Sequence, residues 1–443
     1  MQAHTSTWPE YFIPLVASTA ALIAVSIPSG LALLVVELGA TAFLVQYRWP
    51  HGAGLALVLA AAMSGCAVDI TGINIRPEQL VVLAVLLVAL ARHGIGAWDW
   101  PDSLLAAFVL VNLLSSLVAS PAKGDSVRHT ALLLLAVVPY WLVRRLAQGD
   151  DRMFRSFLMV GVGAAVFGTL CYSSHYLFGT DVGIMYYPAS SLRNELAGVK
   201  GSHLEANIFG SYVASFAAIL FSLYFSGGKR VHLLGCLACS IATAVSLARA
   251  AWLGLAVAVV VTALFRLSWR QKKKLMAMAL VTTAVGSILF YSVDSLRERT
   301  ASLAPDAVLE DETLVHRAYY ASIAIDNIRL RPWLGWGTDS FELMQEWETF
   351  RGTEGAWLGN LPVRVMHDTG VIGTALLFGF FAIVLGRAGR SPNPIAKALM
   401  AGSIVLAIAF QFTDATTLVY PWVLLGLLTI ATGHAGPIRF RQT

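Results

Sequence analysis

The chain has 443 residues, of which 57% are hydrophobic and 13% are charged, and its mean hydropathy is +0.68. Soluble domains carry about 25% charged residues, so this composition excludes a soluble globular protein and predicts an integral membrane protein. The formal net charge of +5 reflects basic loops on one side of a membrane, and it does not imply a nucleic-acid partner.

Apolar segments long enough to cross about 30 Å of hydrocarbon recur from one end of the chain to the other. They predict an all-α fold, a polytopic transmembrane helical bundle of about 12–14 spans, the lower number applying if adjacent short segments are re-entrant. No cleavable signal sequence precedes the first segment, so we expect that segment to be retained. The candidate spans lie near residues 11–27, 29–45, 53–68, 78–93, 103–119, 129–146, 154–174, 205–226, 231–247, 250–267, 275–292, 369–386, 398–413 and 417–433.

The distribution of Lys and Arg predicts the orientation of these spans. The most basic connection is "RLSWRQKKK" at 266–274, which marks the cytoplasmic side because short cytoplasmic loops are enriched in basic residues. Both termini then lie in the cytoplasm, and the segments 176–204 and 293–366 lie outside it. We therefore predict one membrane domain over 1–443, with a smaller extracytoplasmic loop and a large one that precedes the last three spans.

The large loop carries a helical pattern. Apolar residues recur at helical spacing over 312–330, and Pro332 ends that segment. An aromatic-rich stretch, "PWLGWGTDSFELMQEWETF", follows it. A loop of this length without a function is uncommon, so we expect it to form a helical cap on the membrane domain.

Arginines near the outer face are candidates for binding an anionic group. Arg249 lies in the apolar segment "AVSLARAAWLGLAV", where an unpaired Arg costs roughly 2.5–3.5 kcal/mol on insertion scales. That cost predicts either a carboxylate partner or an anionic ligand. Arg317 lies on the loop helix, where a solvated position is the simpler interpretation. Such a pair suits a phosphate or pyrophosphate, because guanidinium groups bind its oxygens bidentately.

Metal and nucleotide motifs do not accompany these arginines. The sequence contains no Walker loop, no DxD pair and no HExxH motif, so we expect no metal site and no cofactor. The glycines of "GVGAAVFG" (161–168) lie within a predicted span, where they favour close helix packing over nucleotide binding.

Candidates for a general base lie at the mouths of two spans. His203 and Glu205 occur in "GSHLEAN" before one span and His367 before another, although each is also typical of a membrane interface. Glu37, inside a span, is a separate candidate for a buried hydrogen bond or a proton relay. Four further polar residues are candidates for contacting substrate: Asn207, Asn360, Arg364 and Asp368.

Together, these stretches resemble the O-antigen ligase and polymerase superfamily of polytopic glycosyltransferases. Each motif is weak alone, but their order and spacing, between about residues 195 and 385, make the set more specific. The four segments are "GSHLEANIFGSYVA", "SLARAAWLGLAV", "HRAYYASIAIDNIRLRPWLGWGTDSF" and "EGAWLGNLPVRVMHDTGVIGTALL". In the third of these, the Gly-x-Gly of that family is Gly335 and Gly337.

The resemblance implies an enzyme of the bacterial inner (cytoplasmic) membrane whose active face is periplasmic. Such enzymes transfer a glycan from an undecaprenyl-pyrophosphate carrier to an acceptor hydroxyl, within lipopolysaccharide or other polysaccharide biosynthesis. Two family arginines are thought to hold the pyrophosphate, and they correspond to Arg249 and Arg317. Their charge stabilises the leaving group, so the reaction needs no metal. The expected partners are the carrier-linked glycan donor, a glycan or lipid A–core acceptor, and membrane lipid.

The sequence departs from the family at one position. The family's histidine slot holds Gly359, followed as expected by Asn360, whereas His367 lies eight residues further on. Another base acts (His203, Glu205 or His367), or acid-base help matters little for this acceptor, or activity is lost. We favour a divergent subgroup, because the surrounding pattern is kept.

Three functions follow from these observations. The main hypothesis is a metal-independent inverting glycosyltransferase of the O-antigen ligase type. A polymerase of the same superfamily, extending an O-antigen or exopolysaccharide, shares the same motifs. A transporter or lipid flippase would instead show inverted repeats, broken helices and midplane charges, and Glu37 is the residue that fits it.

Overall fold

The computed structural model describes the chain in segments. Within them the fold is all-α apart from two short antiparallel hairpins, which confirms the predicted fold class. Glu37, the predicted spans near 11–27, 29–45 and 275–292, and much of the predicted large loop lie outside the described residues. The described residues are 51–64, 68–70, 73–93, 98–147, 151–187, 196–227, 229–266, 268–273, 275, 312–342, 344, 358–413 and 416–433.

The helices of the described residues coincide closely with the predicted apolar segments, and two short hairpins lie between them. In the first hairpin β1 (Val68–Ile70) pairs with β2 (Ile73–Ile75), and in the second β3 (Ile184–Tyr187) pairs with β4 (Leu196–Val199). The helices are α1 (His51–Ala61), α2 (Pro77–His93), α3 (Trp100–Val118), α4 (Lys123–Leu146), α5 (Arg152–Phe178), α6 (Ala206–Gly227), α7 (Arg230–Val245), α8 (Arg249–Arg266), α9 (Glu312–Leu330), α10 (Leu361–Arg390), α11 (Pro394–Ala409) and α12 (Val419–Ala431).

Five of the described helices, α3, α4, α5, α6 and α10, are long and apolar enough to cross a membrane. The loop helix predicted at 312–330 is confirmed as α9, with the same bounds. The span predicted near 53–68 is only partly helical, because α1 ends at Ala61 and the chain then forms the first hairpin.

Helix α6 lies at the centre of the bundle and packs against α7, α8 and α11. It is buried almost without interruption from Ala206 to Leu223. Its large rings fit because α5 carries glycines opposite them: a Cβ atom at Gly161 or Gly168 would lie 2.3 Å from the ring of Phe216 or Phe209. The packing role predicted for the glycines of 161–168 is therefore confirmed at these two positions.

Charged residues join three helices at one end of the bundle. Asp99 caps α3, and its backbone N–H donates to the Asp102 carboxylate in return. Arg144 of α4 contacts Asp102, and Arg387 of α10 donates to Asp99 over 3.0 Å. This cluster lies at the end predicted to face the cytoplasm, and it fixes α3, α4 and α10 relative to one another.

At the other end, α10 is interrupted at Gly370, whose backbone is not helical (φ 62°, ψ −164°). A helix would pair the N–H of Val371 with the carbonyl of His367. Here Val371 donates instead to the carbonyl of Pro332 over 2.8 Å, and the carbonyl of His367 accepts from Trp336 over 2.9 Å. The loop after α9 thus satisfies the backbone groups that the interruption would leave unpaired.

The same loop is held on its other side by α3. Ser115 donates its hydroxyl to the carbonyl of Asp368 over 2.8 Å and also contacts that of Leu334. The backbone N–H of Gly337 donates to the carbonyl of Asp368 over 2.9 Å. Gly335 and Gly337 adopt φ values of +67° and +100°, which explains the Gly-x-Gly spacing because other residues disfavour this region.

Helix α10 also begins earlier than predicted, at Leu361, whereas the apolar pattern placed the span near 369–386. Arg364, His367 and Asp368 interrupt the apolar pattern of its first ten residues, and hydropathy alone therefore placed the start of the span later. The Asn360 side chain caps α10 by accepting from the N–H of Val363 over 3.0 Å.

We expect Gly335→Ala to lower the unfolding temperature of the detergent-purified protein. A Cβ atom there would lie 2.4 Å from the carbonyl oxygen of His367, and positive φ costs a non-glycine residue about 1–3 kcal/mol. Gly163→Ala is the matched control, because it lies in α5 with open space around it and alanine favours a helix. Equal unfolding temperatures for the two variants would contradict the proposed fit of loop and helix.

Candidate functional site

A cavity of about 370 Å³ opens where α2 and α6 begin, beside α4, α10 and the loop after α9. Its apolar side consists of Leu132, Leu204, Ile208 and Leu418. Charged and polar residues from six parts of the chain converge on the rest of its wall. They are Arg76, Gln79, Arg128, His129, Glu205, Asp339, Glu342, Arg364 and Thr417.

Asp339 contacts several residues of the polar wall through both its side chain and its backbone. Its carboxylate contacts Nδ1 of His129 and accepts a hydrogen bond from Nη2 of Arg364 over 2.5 Å. Its backbone N–H donates to the Asp368 carboxylate over 2.8 Å. Burial disfavours the charged form of Asp339, but the positive charge of Arg364 and the contact with His129 outweigh it and hold its pKa below the ordinary value. Asp339 is therefore an ionised carboxylate near neutral pH.

Arg364 is held between two carboxylates. It lies in the first turns of α10, with Nε 3.8 Å from Oδ2 of Asp368 and Nη2 on Asp339. Its side chain lines the cavity, while Asp368 is buried behind it. The sequence named both residues as candidates, and the structure brings them together on one side of the cavity.

Glu205 lies across the cavity, immediately before α6. Burial raises its pKa, and the positive charges of Arg317 and Arg76 oppose this rise without cancelling it. These interactions place Arg317, which projects from α9, and Arg76 near one carboxyl group. Glu205 and Arg317, which the sequence named separately as a candidate base and a candidate pyrophosphate ligand, thus lie in the same part of the molecule.

Two hydrogen-bond donors on the wall lack partners among the described residues. They are Nη1 of Arg76 and Nε2 of Gln79, both buried. The Gln79 side chain is oriented by its Oε1, which accepts from the N–H of Arg76 over 3.2 Å. Buried donors are almost always satisfied, so this corner of the cavity suits the oxygen atoms of a ligand.

His203 does not lie on the cavity wall. It is fully buried against rings of α6 and α12, with ring centroids 4.6 Å from Tyr212 and 6.2 Å from Tyr420. Burial lowers its pKa to about 3, so it is a neutral ring near neutral pH. Its surroundings are those of a packing residue.

His367 is also enclosed. None of its surface is exposed, its Nδ1 lies 3.2 Å from Oδ1 of Asp368, and its ring packs edge-on against Phe341 at 5.4 Å. In the position of the family histidine, Gly359 is buried, and Asn360 is engaged in capping α10 and in donating to the carbonyl of Gln411. The structure therefore places no imidazole on the cavity wall from this segment.

The remaining predicted residues lie at helix starts. Arg249 is the first residue of α8 and Asn207 lies in the first turn of α6, both half-buried. Neither of them, nor Asn360, is among the described residues that line the cavity.

Several residues on the wall were missed from the sequence. Arg128 and His129 begin the apolar part of α4, and Asp339 follows the Gly-x-Gly turn. Charged residues at the start of a span are usual, so their type and position gave no reason to select them. Among the described residues, no group of three His, Cys, Asp or Glu side chains is arranged to hold a metal ion.

The comparison with protein families locates part of this site. Residues 234–378 match the family model described as O-antigen ligase (Wzy_C), which confirms the resemblance to the O-antigen ligase superfamily. Members of that family are glycosyltransferase-like enzymes, and the apolar helices and the family together identify an integral membrane protein. The match includes α8, α9, the Gly-x-Gly loop and the first half of α10. No curated protein matches the chain.

We expect Arg364→Ala to destabilise the protein, because the buried carboxylate of Asp339 would lose its strongest partner. Removing one member of a buried pair costs about 3–5 kcal/mol, a cost that His129 reduces here. The control is Arg329→Ala in α9, whose ion pair with Asp326 has side chains 75% and 71% exposed. Thermal unfolding in detergent measures both variants, and a loss in Arg329→Ala as large as that in Arg364→Ala would contradict the prediction.

Proposed function

We propose that this protein is a glycosyltransferase of the O-antigen ligase type that transfers a glycan from an undecaprenyl-pyrophosphate carrier to an acceptor hydroxyl on the periplasmic face. The observation that carries the proposal is the cavity itself. Arg364, from the segment that matches the family, meets Arg76 and Arg128, from outside that segment, on its wall. Arg317, also from the matched segment, lies close enough to influence Glu205.

The arginines suit a diphosphate leaving group. Guanidinium groups bind phosphate oxygens bidentately and keep their charge at all physiological pH values. Charge develops on the diphosphate as the bond to the sugar breaks, and fixed cations stabilise it most at that moment. In this proposal cationic side chains supply the stabilisation, and the transfer is metal-independent.

The size of the cavity defines which part of the donor it would enclose. Its volume of about 370 Å³ is at the lower end of ligand pockets, which measure roughly 300–1,000 Å³. It therefore suits the diphosphate and the reacting sugar, while the lipid chain and the rest of the glycan remain outside. Enclosure of the reacting groups limits competing hydrolysis by water.

Of the three bases named from the sequence, Glu205 is the one on the wall. Its raised pKa brings it closer to the range in which a carboxyl group exchanges protons near neutral pH. Its interactions with Arg76 and Arg317 also suit a second role, which is to hold these two arginines toward the donor.

Replacing Arg317 or Arg249 by Ala is expected to lower glycan transfer in membrane vesicles by about 10²–10³-fold, the usual effect of removing one group that stabilises transition-state charge. Arg329→Ala is the matched control, because Arg329 lies on the same helix as Arg317 and its side chain is 75% exposed. Membrane levels of all variants are compared by immunoblotting. Full activity in both test variants would refute the assignment of these arginines to the pyrophosphate.

The product distinguishes the two members of the superfamily. Transfer to lipid A–core yields glycan on lipopolysaccharide, whereas a polymerase yields longer glycans that remain on the carrier. Vesicles supplied with carrier-linked repeat units, with and without lipid A–core, are analysed by gel electrophoresis and mass spectrometry. If carrier-linked glycan is extended in the absence of lipid A–core, the ligase assignment is wrong and the protein is a polymerase.

A further inference from the structure

The position of the family histidine is glycine in this chain, and the other two histidines named from the sequence are enclosed. Gly359 has no side chain to offer, and His203 and His367 are no more than 1% exposed. A hydroxyl group attacking an anomeric carbon must lose its proton, and an imidazole within reach of that proton is the most frequent acceptor in enzymes. The cavity wall does contain one imidazole, which belongs to α4.

That imidazole is His129. Its side chain is 22% exposed and lines the cavity, and its Nδ1 contacts the carboxylate of Asp339. The two residues come from distant parts of the chain, so their contact depends on the docking of the loop after α9 against α4. Since Nδ1 is engaged by the carboxylate, Nε2 is the nitrogen that remains to accept a proton.

The described residues contain two other contacts between His and Asp, and neither has this arrangement. His367 meets Asp368, but its ring is fully enclosed. His175 meets Asp181 over 3.4 Å, but that carboxylate is 67% exposed and the pair lies at the end of α5, away from the cavity lining. Only the His129 pair among the three combines a buried carboxylate with a ring that reaches the cavity.

Other charged residues line the cavity with His129. Arg128 adjoins it on α4, Arg364 of α10 holds the far side of the Asp339 carboxylate, and Glu342 follows in the same loop. Arg76 and Glu205 line the wall from the starts of α2 and α6. The acceptor would therefore meet the imidazole beside the groups that we assign to the diphosphate.

We infer that His129, and not Glu205, is the general base of the transfer and that Asp339 is the residue that positions it. Glu205 then has the second role described above, which is to hold Arg76 and Arg317 toward the donor. This inference rests on the proposed function. A buried carboxylate on Nδ1 holds the neutral ring in the tautomer whose Nε2 accepts a proton, and it stabilises the imidazolium that forms.

Nε2 of His129 takes the proton of the acceptor hydroxyl while the hydroxyl oxygen forms its bond to the anomeric carbon. On the opposite face of that carbon, the bond to the diphosphate oxygen breaks, and its electron pair leaves with the carrier diphosphate. The imidazolium then releases its proton to water, which restores the neutral ring.

The backbone of Asp339 supports a positioning role. Its φ of +60° is unusual for a non-glycine residue, and such strain persists only where surrounding contacts hold it. Asn tolerates this region about as well as Asp. Asp339→Asn therefore removes the charge beside His129 without requiring a new backbone conformation.

The test uses the full chain in proteoliposomes, with a carrier-diphosphate-linked glycan as donor and lipid A–core as acceptor. For His129→Asn we expect kcat to fall by about 10²–10⁴-fold, with donor affinity retained. The pH profile of the residual rate should differ from that of the wild type, because the group that accepts the proton has been removed. His175→Asn is the matched control and should keep the wild-type rate and profile.

Asp339→Asn provides an independent measurement should His129→Asn fail to fold. Loss of the carboxylate removes the group that orients the imidazole and stabilises the imidazolium, so kcat should fall and the pH profile of the rate should change while donor affinity is retained. A wild-type rate or a wild-type pH profile in either His129→Asn or Asp339→Asn would overturn the inference. Absence of any transferred glycan with the wild-type protein would instead refute the proposed function itself.

Discussion

The exchange of hydrogen bonds between the broken helix α10 and the loop after α9 is the constraint on which the site depends. At Gly370 the helical hydrogen bond from Val371 to His367 is absent, and Trp336 and Pro332 of the loop supply the missing donor and acceptor. This exchange fixes the loop against α10, and Ser115 fixes it against α3. Asp339, at the end of the loop, is thereby brought to the two side chains that it orients.

Burial strengthens the electrostatic interactions in these contacts, because water screens them less than at the surface. Near the surface an ion pair such as Arg329 with Asp326 is largely screened by water. In the cavity the carboxylate of Asp339 is almost withdrawn from solvent, so its partners decide its charge and its charge decides their orientation. The same surroundings would strengthen the attraction between the arginines and a diphosphate.

Much of the fold could be predicted from the sequence, because a helix produces a local periodic pattern of apolar residues. The bounds of α9 follow from its repeat of apolar residues and from Pro332, and the close packing at Gly161 and Gly168 follows from small residues within a span. The start of α10 escaped prediction because Arg364, His367 and Asp368 interrupt the apolar pattern of its first ten residues, and hydropathy reports lipid contact rather than helix formation.

The site could be predicted only in part, for a physical reason. Glu205, Arg317 and Arg364 were named from local motifs, and the structure brings them near one cavity. The contact of His129 with Asp339 joins residues from different elements, and periodicity within an element carries no information about which helix ends meet. Likewise, a histidine such as His203 looks the same in sequence whether it faces a ligand or a cluster of rings.

The interruption at Gly370 has a consequence for how such a protein can diversify. The outer part of α10 is joined to the membrane span through Gly370, whose backbone is not helical, and Val371 donates to the loop, while Arg387 anchors the far end through Asp99. Changes of side chain in the outer part therefore need not rotate or shift the span within the lipid. The part of α10 that lines the cavity and the part that crosses the membrane can therefore accept substitutions independently of each other.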